Sequence, residues 1–450
     1  MTSPASNAET APNRPHRVLI VGGGFAGLFA AKALGERRKD ADFEVTLLDK
    51  RNFHLFQPLL YQVATGGLVV GDIATPHRVM LRRYKNVRCL TGTAYDLDPE
   101  QGKVYHEFGE LEYDTLIVGT GVKHSYFGHD EWRPYAPGLK TVEHALEMRR
   151  KIFSAFERAE ATTDPERRKA MMTFVVVGAG PTGVELAGAL GELAHHTMVN
   201  DFRSIDPREV TILLVEGAPR VLPVYDDKLS ASAEKMLGEL GVTVFKESFV
   251  ENIEPGRVTI RRGKELERVH TETVLWAAGV TTSAFGRVLA ERTGVELDRQ
   301  GKLPVERDMS LKGHPGIFVV GDLGRYETEP GKALPGLAPV AIQQGEYVAR
   351  LLKARHKGSQ IKPFRYVDKG TMAVIGRNRA VGDLNFMRIT GFFAWALWVA
   401  IHIWSLMNIE QRLSVMTNWA WKYITRKSGS RLITGDPPHT REIQSRYGNK

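Results

Sequence analysis

Three glycines, Gly22, Gly24 and Gly27, followed by Asp49, have the types and spacing to hold a pyrophosphate and a ribose. Gly22 permits a tight turn, Gly24 lets a phosphate approach the backbone, and Gly27 lets a helix pack close to a strand. An acid about 20 residues past the last glycine can accept hydrogen bonds from a ribose diol. The chemistry indicated is the binding of a dinucleotide. The elements that must position these residues follow from the pattern: an apolar run over 16–21 for a buried strand, an alanine-rich segment over 28–34 for a helix, and a second apolar strand over 44–48 that ends at Asp49.

The pattern then restarts. Residues 172–177 run into Gly178, Gly180 and Gly183, and residues 210–215 run into Glu216. Each unit closes on a strand that stops at glycine, at Gly121 and at Gly279, about a hundred residues past its first glycine. Two such domains imply two dinucleotides. A nicotinamide held by one can pass a hydride to a flavin held by the other, with the protein fixing their separation. Asp49 and Glu216 both disfavour a 2′-phosphate, so NAD is expected over NADP, with Arg220 as the opposing charge. A late strand, 315–320, ends at Gly321 and Asp322; a carboxylate at the tip of a buried strand requires hydrogen-bond donors, from a ligand polyol or as an ordinary helix cap.

The 450 residues leave room for two or three domains, and the formal net charge of +9 suits an anionic surface. No basic run with interleaved aromatics occurs in the body of the chain, so no nucleic-acid partner is expected. The single cysteine, Cys89, excludes an intrachain disulfide and a redox-active cysteine pair, and fits a reducing compartment. No metal site is expected. Residues 1–15 are polar and read as a disordered tail.

Between these landmarks, residues 51–64 are too apolar for a solvated loop; they either cover the core or form a lid on a flat aromatic ring, with Gln57 as a polar contact. His54 within them reads as a hydrogen-bonded core residue. Two hairpin-like strands are expected around 87–97 and 103–107, a loop over 122–140, and an amphipathic helix over 141–161 with Ala145, Met148, Ile152, Phe156 and Ala159 on its apolar face. Residues 390–407 carry Phe392, Phe393, Trp395, Trp398 and Trp404, and 409–427 place Leu413, Met416, Tyr423 and Ile424 beside Arg412, Lys422, Arg426 and Lys427. Tryptophans spread along the first segment favour a helix lying in the membrane interface over one that spans it. An apolar face of this kind also suits a dimer contact, and the two uses are compatible.

The tandem turns, the strand ending at Asp322, the segment 54–64 and the stretch 366–377 resemble the type II NADH dehydrogenases, the non-proton-pumping NADH:quinone oxidoreductases. That resemblance implies FAD in the first domain, held by Gly22, Gly24, Gly27, Asp49, Gln57, Gly121 and Asp322. It implies NADH against Gly178, Gly180, Gly183, Glu216 and Gly279. Glu185 matches a family glutamate close to where the substrates converge; read by itself, its place in the first turns of a helix favours a carboxylate through the helix dipole. The family's quinone segment is similar to 336–345, so Ile342, Gln343 and Gln344 are expected to meet quinone. Pro339 departs from the pattern by replacing a glutamine with a residue that has no amide to offer. Lys369 can steady reduced flavin, or stand exposed in a turn.

The expected architecture is α/β, with two Rossmann-like dinucleotide-binding domains, the second inserted in the first, and a helical carboxy-terminal region. The FAD-binding domain is expected over 16–125 and 288–360, the NADH-binding domain over 140–287, and a membrane-anchoring and dimerisation region over 361–450. The expected activity is non-pumping NADH:quinone reduction, peripheral on the cytoplasmic face of the membrane, with a membrane quinone, an anionic lipid surface and a second copy of the chain as partners. A soluble reductase of a ferredoxin-like protein and a slow flavin-bearing NAD sensor are the alternatives.

Overall fold

A parallel strand covered on both faces must be apolar throughout, and the strand His16–Val21 is buried from Val18 onward. The computed structural model describes residues 14–38, 40–427 and 429–435. Residues 1–13 of the segment read as a tail lie outside the described residues, while Arg14 at its end donates to both carboxylate oxygens of Asp114 at 2.7 and 2.8 Å.

Contacts divide the chain into two units, one formed by residues up to 54, 76–122 and 282–366, the other by 55–75, 123–281 and the chain from 367 onward. In the first, His16–Val21 lies between Phe43–Asp49 and Thr115–Val118, with Val87–Thr91 and His314–Val319 outside them, all parallel. The strand expected over 87–97 is two strands. Val87–Thr91 completes the parallel sheet, the chain turns at Gly92, and Ala94–Asp98 pairs antiparallel with Lys103–His106 in a separate sheet.

The second unit repeats the design with Thr173–Val177 between Thr211–Val215 and Thr273–Trp276, and Val242–Phe245 outside. The repetition extends to single hydrogen bonds. Gly22 N–H donates to Leu48 O and Gly119 N–H to Val21 O, matched by Gly178 to Val215 and Ala277 to Val177, all at 2.8 Å. The helix Val142–Ala161 forms as its periodicity predicts: Thr141 caps it by accepting from His144 N–H, and Ala145, Met148, Ile152, Phe156 and Ala159 are buried.

Residues 55–75 and the carboxy-terminal segment group with the second unit, against the expectation that placed 55–75 in the first domain and 361–450 by itself. Packing is the reason. Leu60–Ala64 buries Leu60, Tyr61, Val63 and Ala64 against Val142–Ala161 and Pro181–Glu192. The strand Thr371–Gly376 lies so close to Pro181–Glu192 that a β-carbon on Gly188 would stand 1.9 Å from Ile375 O. Gln411, on the last helix, accepts from Thr75 Oγ1 and donates to the carbonyls of Gly71 and Ala74, while Ser414 donates to Asp72. The tail is therefore fastened to the segment 55–75, and is not a detachable appendage.

That tail forms two helices, Gly391–Ser405 and Ile409–Thr425. Among the described residues, no helix is long and apolar enough to cross a membrane. Ala394, Trp398 and Val415 face inward, whereas Phe393, Trp404, Ile409, Trp421 and Ile424 are largely exposed.

Candidate functional site

Each glycine turn is built from the same three constraints. Gly22 has φ +106° and Gly178 φ +96°, where a side chain is strained. A β-carbon on Gly27 or Gly183 would fall 1.9 or 1.8 Å from the carbonyl oxygen of Gly22 or Gly178, so only glycine lets each helix start this close to its strand. Gly24 and Gly180, the N-caps of Phe25–Leu34 and Pro181–Glu192, have no side-chain cap, and no neighbouring atom within 4 Å of where a β-carbon would be. Two helix N-termini are thus left with a cradle that a side chain would fill, which is the geometry a diphosphate needs.

The acids brace the turns. Asp49 accepts from Gly23 N–H at 2.6 Å and Arg51 N–H at 2.7 Å; Glu216 accepts from Ala179 N–H at 2.6 Å and Ala218 N–H at 2.8 Å. Each carboxylate oxygen keeps a second lone pair for a ribose hydroxyl. Arg220, the charge that would have favoured a 2′-phosphate, is engaged elsewhere: it pairs with Asp227 and donates to the carbonyls of Pro223 and Tyr225.

Sequence reasoning missed His77. Both it and His54 sit on Gly23 O, at 3.0 and 3.1 Å, and because a carbonyl only accepts, each ring must donate there. Burial holds both imidazoles below their usual range, His54 at about 4. His54 is the core histidine its apolar neighbours predicted. No signal marked His77, because its partner lies 54 residues away.

The helix Ala338–His356 covers Phe25–Leu34, with Gly345 where a β-carbon would meet Ala26 O at 2.1 Å. Pro339 is accommodated in its first turn, where backbone N–H groups have no helical partner in any case. Gln344 is 2% exposed, and its side-chain oxygen accepts from Gly321 N–H at 2.7 Å. Successive helical residues point about 100° apart, so Gln344 faces the turn ahead of Asp322 while Ile342 and Gln343 stay half-buried on other sides. Asp322 itself follows Gly321 in a short 3-10 turn beside Gly336. Gly121, φ +63°, has open space around it.

Glu185 is half-buried on Pro181–Glu192, its carboxylate oxygen 3.5 Å from Val374 N. The helix dipole was expected to favour its charged form. Burial outweighs it and pushes the carboxyl up to about 8. The same charge raises the hydroxyls of buried Tyr61 and Tyr225, for which burial is again the larger cause. Gln57 lies exposed in the second unit, its amide 3.3 Å from Lys140 O. Lys369 also stands exposed, in a turn where Asp368 accepts from Gly370 N–H at 2.8 Å.

Two glycine turns, each braced by an acid at the end of the neighbouring strand, define a two-dinucleotide α/β oxidoreductase, and residues 16–345 match the family described as pyridine nucleotide-disulphide oxidoreductase. Residues 369–428 match the NDH2 C-terminal domain. Two Mycobacterium tuberculosis proteins, the type II NADH:quinone oxidoreductases Ndh and NdhA, are 41% and 42% identical over 96% and 98% of this chain, and over 93% and 94% of their own lengths. The fold is similar to that of NDH2 from Plasmodium falciparum in complex with NADH, with a TM-score of 0.83 at 20% identity over 94% of this chain and all of that one. The chain belongs to the type II NADH dehydrogenases.

Proposed function

We infer that the chain is an FAD-dependent NADH:quinone oxidoreductase that does not pump protons. The observation that carries this is the duplicated turn, two uncapped glycine N-termini each with its own bracing acid, in a chain of this family. Gly22, Gly24, Gly27 and Asp49 hold FAD, with Asp322 and Gly121 beside them, and Gly178, Gly180, Gly183, Glu216 and Gly279 hold NADH. When bound, FAD supplies a two-electron relay between NADH and quinone. Glu216 selects the unphosphorylated ribose, since a 2′-phosphate would meet its charge with Arg220 already paired. Glu185 is protonated near neutral pH and holds a proton for the quinone oxygen, which must gain one as it is reduced. Ile342 and Gln343 contact quinone, and Gln344 is a positioning residue that fixes the Gly321 turn. Added NADH should bleach the flavin absorbance of the purified protein, and a short-chain quinone should restore it; persistence of the oxidised spectrum after NADH would refute the reading.

The exposed side chains of the two tail helices and their basic neighbours fit an anionic lipid surface on the cytoplasmic face, where a lipid-soluble quinone is within reach. Arg412 lies 5.2 Å over the Trp404 ring and Arg377 3.9 Å over the Tyr423 ring, so cations border the apolar face. Because the inward face of the tail is fastened to 55–75, surface variants test this better than truncation. Trp404→Ser with Ile424→Ser should weaken binding to anionic vesicles, read by sedimentation, by roughly a hundredfold to ten-thousandfold, at about 1.5–3 kcal/mol per large apolar side chain. NADH oxidation by a soluble dye should be unchanged. Unaltered vesicle binding with loss of a homodimer in solution would reassign the face to a second copy of the chain.

A further inference from the structure

The parallel sheet of the second unit gives a bound dinucleotide a direction. Glu216 ends the strand on one side of Thr173–Val177, the glycine turn lies at its middle, and Thr273–Trp276 is on the other side. A dinucleotide with its adenosine ribose on Glu216 and its pyrophosphate on the turn carries its nicotinamide half over the end of Thr273–Trp276, toward Gly279.

Phe127 stands at that end. Its ring rests on Gly279, where a β-carbon would lie 2.5 Å from Cζ, and its centroid is 6.3 Å from that of Trp276. The residue is 68% exposed and has φ +53°, a region that bulky side chains rarely occupy. Core packing explains neither property. Its neighbours are held firmly: buried Tyr126 donates from its hydroxyl to Ala136 O at 2.8 Å, and Trp276 Nε1 donates to Ser125 O at 3.0 Å. Phe127 N–H donates to Ser125 Oγ at 3.2 Å, and Gly128 follows at φ +101°. The loop is thus pinned so that one apolar ring is turned away from the core and onto the end of the sheet. Strain of this kind persists only where the surroundings over-determine it, and it concentrates at ligand clamps.

We propose that Phe127 is a positioning residue for NADH, its ring forming the apolar plate against which the nicotinamide half is set. The proposal rests on the reading that NADH lies along the second glycine turn. With FAD-loaded enzyme, Phe127→Ala should raise the KM for NADH roughly fivefold to tenfold, the scale of one lost aromatic contact. Inhibition by ADP, which reaches only the Glu216 side, should stay within about twofold of the parent. Flavin content and Tm should hold, and Phe127→Tyr should restore the KM. An unchanged KM, or a KM and an ADP inhibition constant that shift together, overturns the proposal. Gly180→Val separates the underlying reading: it should weaken both NADH and ADP, and if it weakens neither, NADH does not lie on that turn.

Discussion

Gly24→Val should yield a folded but colourless protein. Nothing lies within 4 Å of the added β-carbon and the backbone at Gly24 is ordinary, with φ −69°, so the fold can accept the side chain. The same atoms fill the cradle over the helix N-terminus. Losing two hydrogen bonds to a charged phosphate, at about 1.5–3 kcal/mol each, corresponds to roughly a hundredfold to ten-thousandfold weaker FAD binding. Gly22→Val should behave differently: it places a β-branched residue at φ +106°, with its β-carbon 2.4 Å from Gly119 O, and should fail to fold. The pair is checked by flavin absorbance and by Tm of the apoprotein. Retained FAD in Gly24→Val, or a stable Gly22→Val, would contradict the assignment of the first turn.

Glu185→Gln should abolish the pH dependence of stability that Glu185 contributes and slow the quinone step. The carboxyl, raised to about 8 in the folded chain against an ordinary value of 4.5, keeps a proton that the unfolded chain releases. Stability therefore falls as pH rises from about 4.5 to about 8, by at most about 1.4 kcal/mol per unit, and by less because the residue retains some contact with water. Glutamine has no such term. The variant should match the parent near pH 5 and exceed it in Tm near pH 9. Without its proton source, kcat with quinone should drop by roughly a hundredfold, within the usual range for a lost general acid, while reduction of a one-electron dye is kept. A Tm difference that does not grow with pH would show the carboxyl to be charged throughout.

The two dinucleotide domains were legible in the sequence because each depends on local facts. A buried parallel strand has to be apolar, a turn at φ near +100° has to be glycine, and an acid must end the next strand. Gly22 to Asp49 and Gly178 to Glu216 therefore announce themselves, as does the helix Val142–Ala161 with its apolar face. Glu216 carried the expectation of NADH in the sequence, and the structure adds that Arg220 is paired with Asp227.

What tertiary structure decided are properties that depend on residues far apart in the chain. Sequence placed Glu185 at a helix start and favoured its charge; desolvation by the elements packed around it reversed the sign. Gln343 and Gln344 look equivalent on paper, yet the rotation between successive helical residues leaves Gln343 half-buried and turns Gln344 fully inward onto Gly321 N–H. His77 and Phe127 carried no local signal, since the first is defined by the Gly23 carbonyl and the second by Gly279. Segment 55–75 joined the second unit because Gln411 and Ser414, more than 300 residues later, supply its hydrogen bonds. Backbone conformation and strand burial are fixed by neighbours in sequence; protonation, side-chain commitment and domain membership are fixed by neighbours in space.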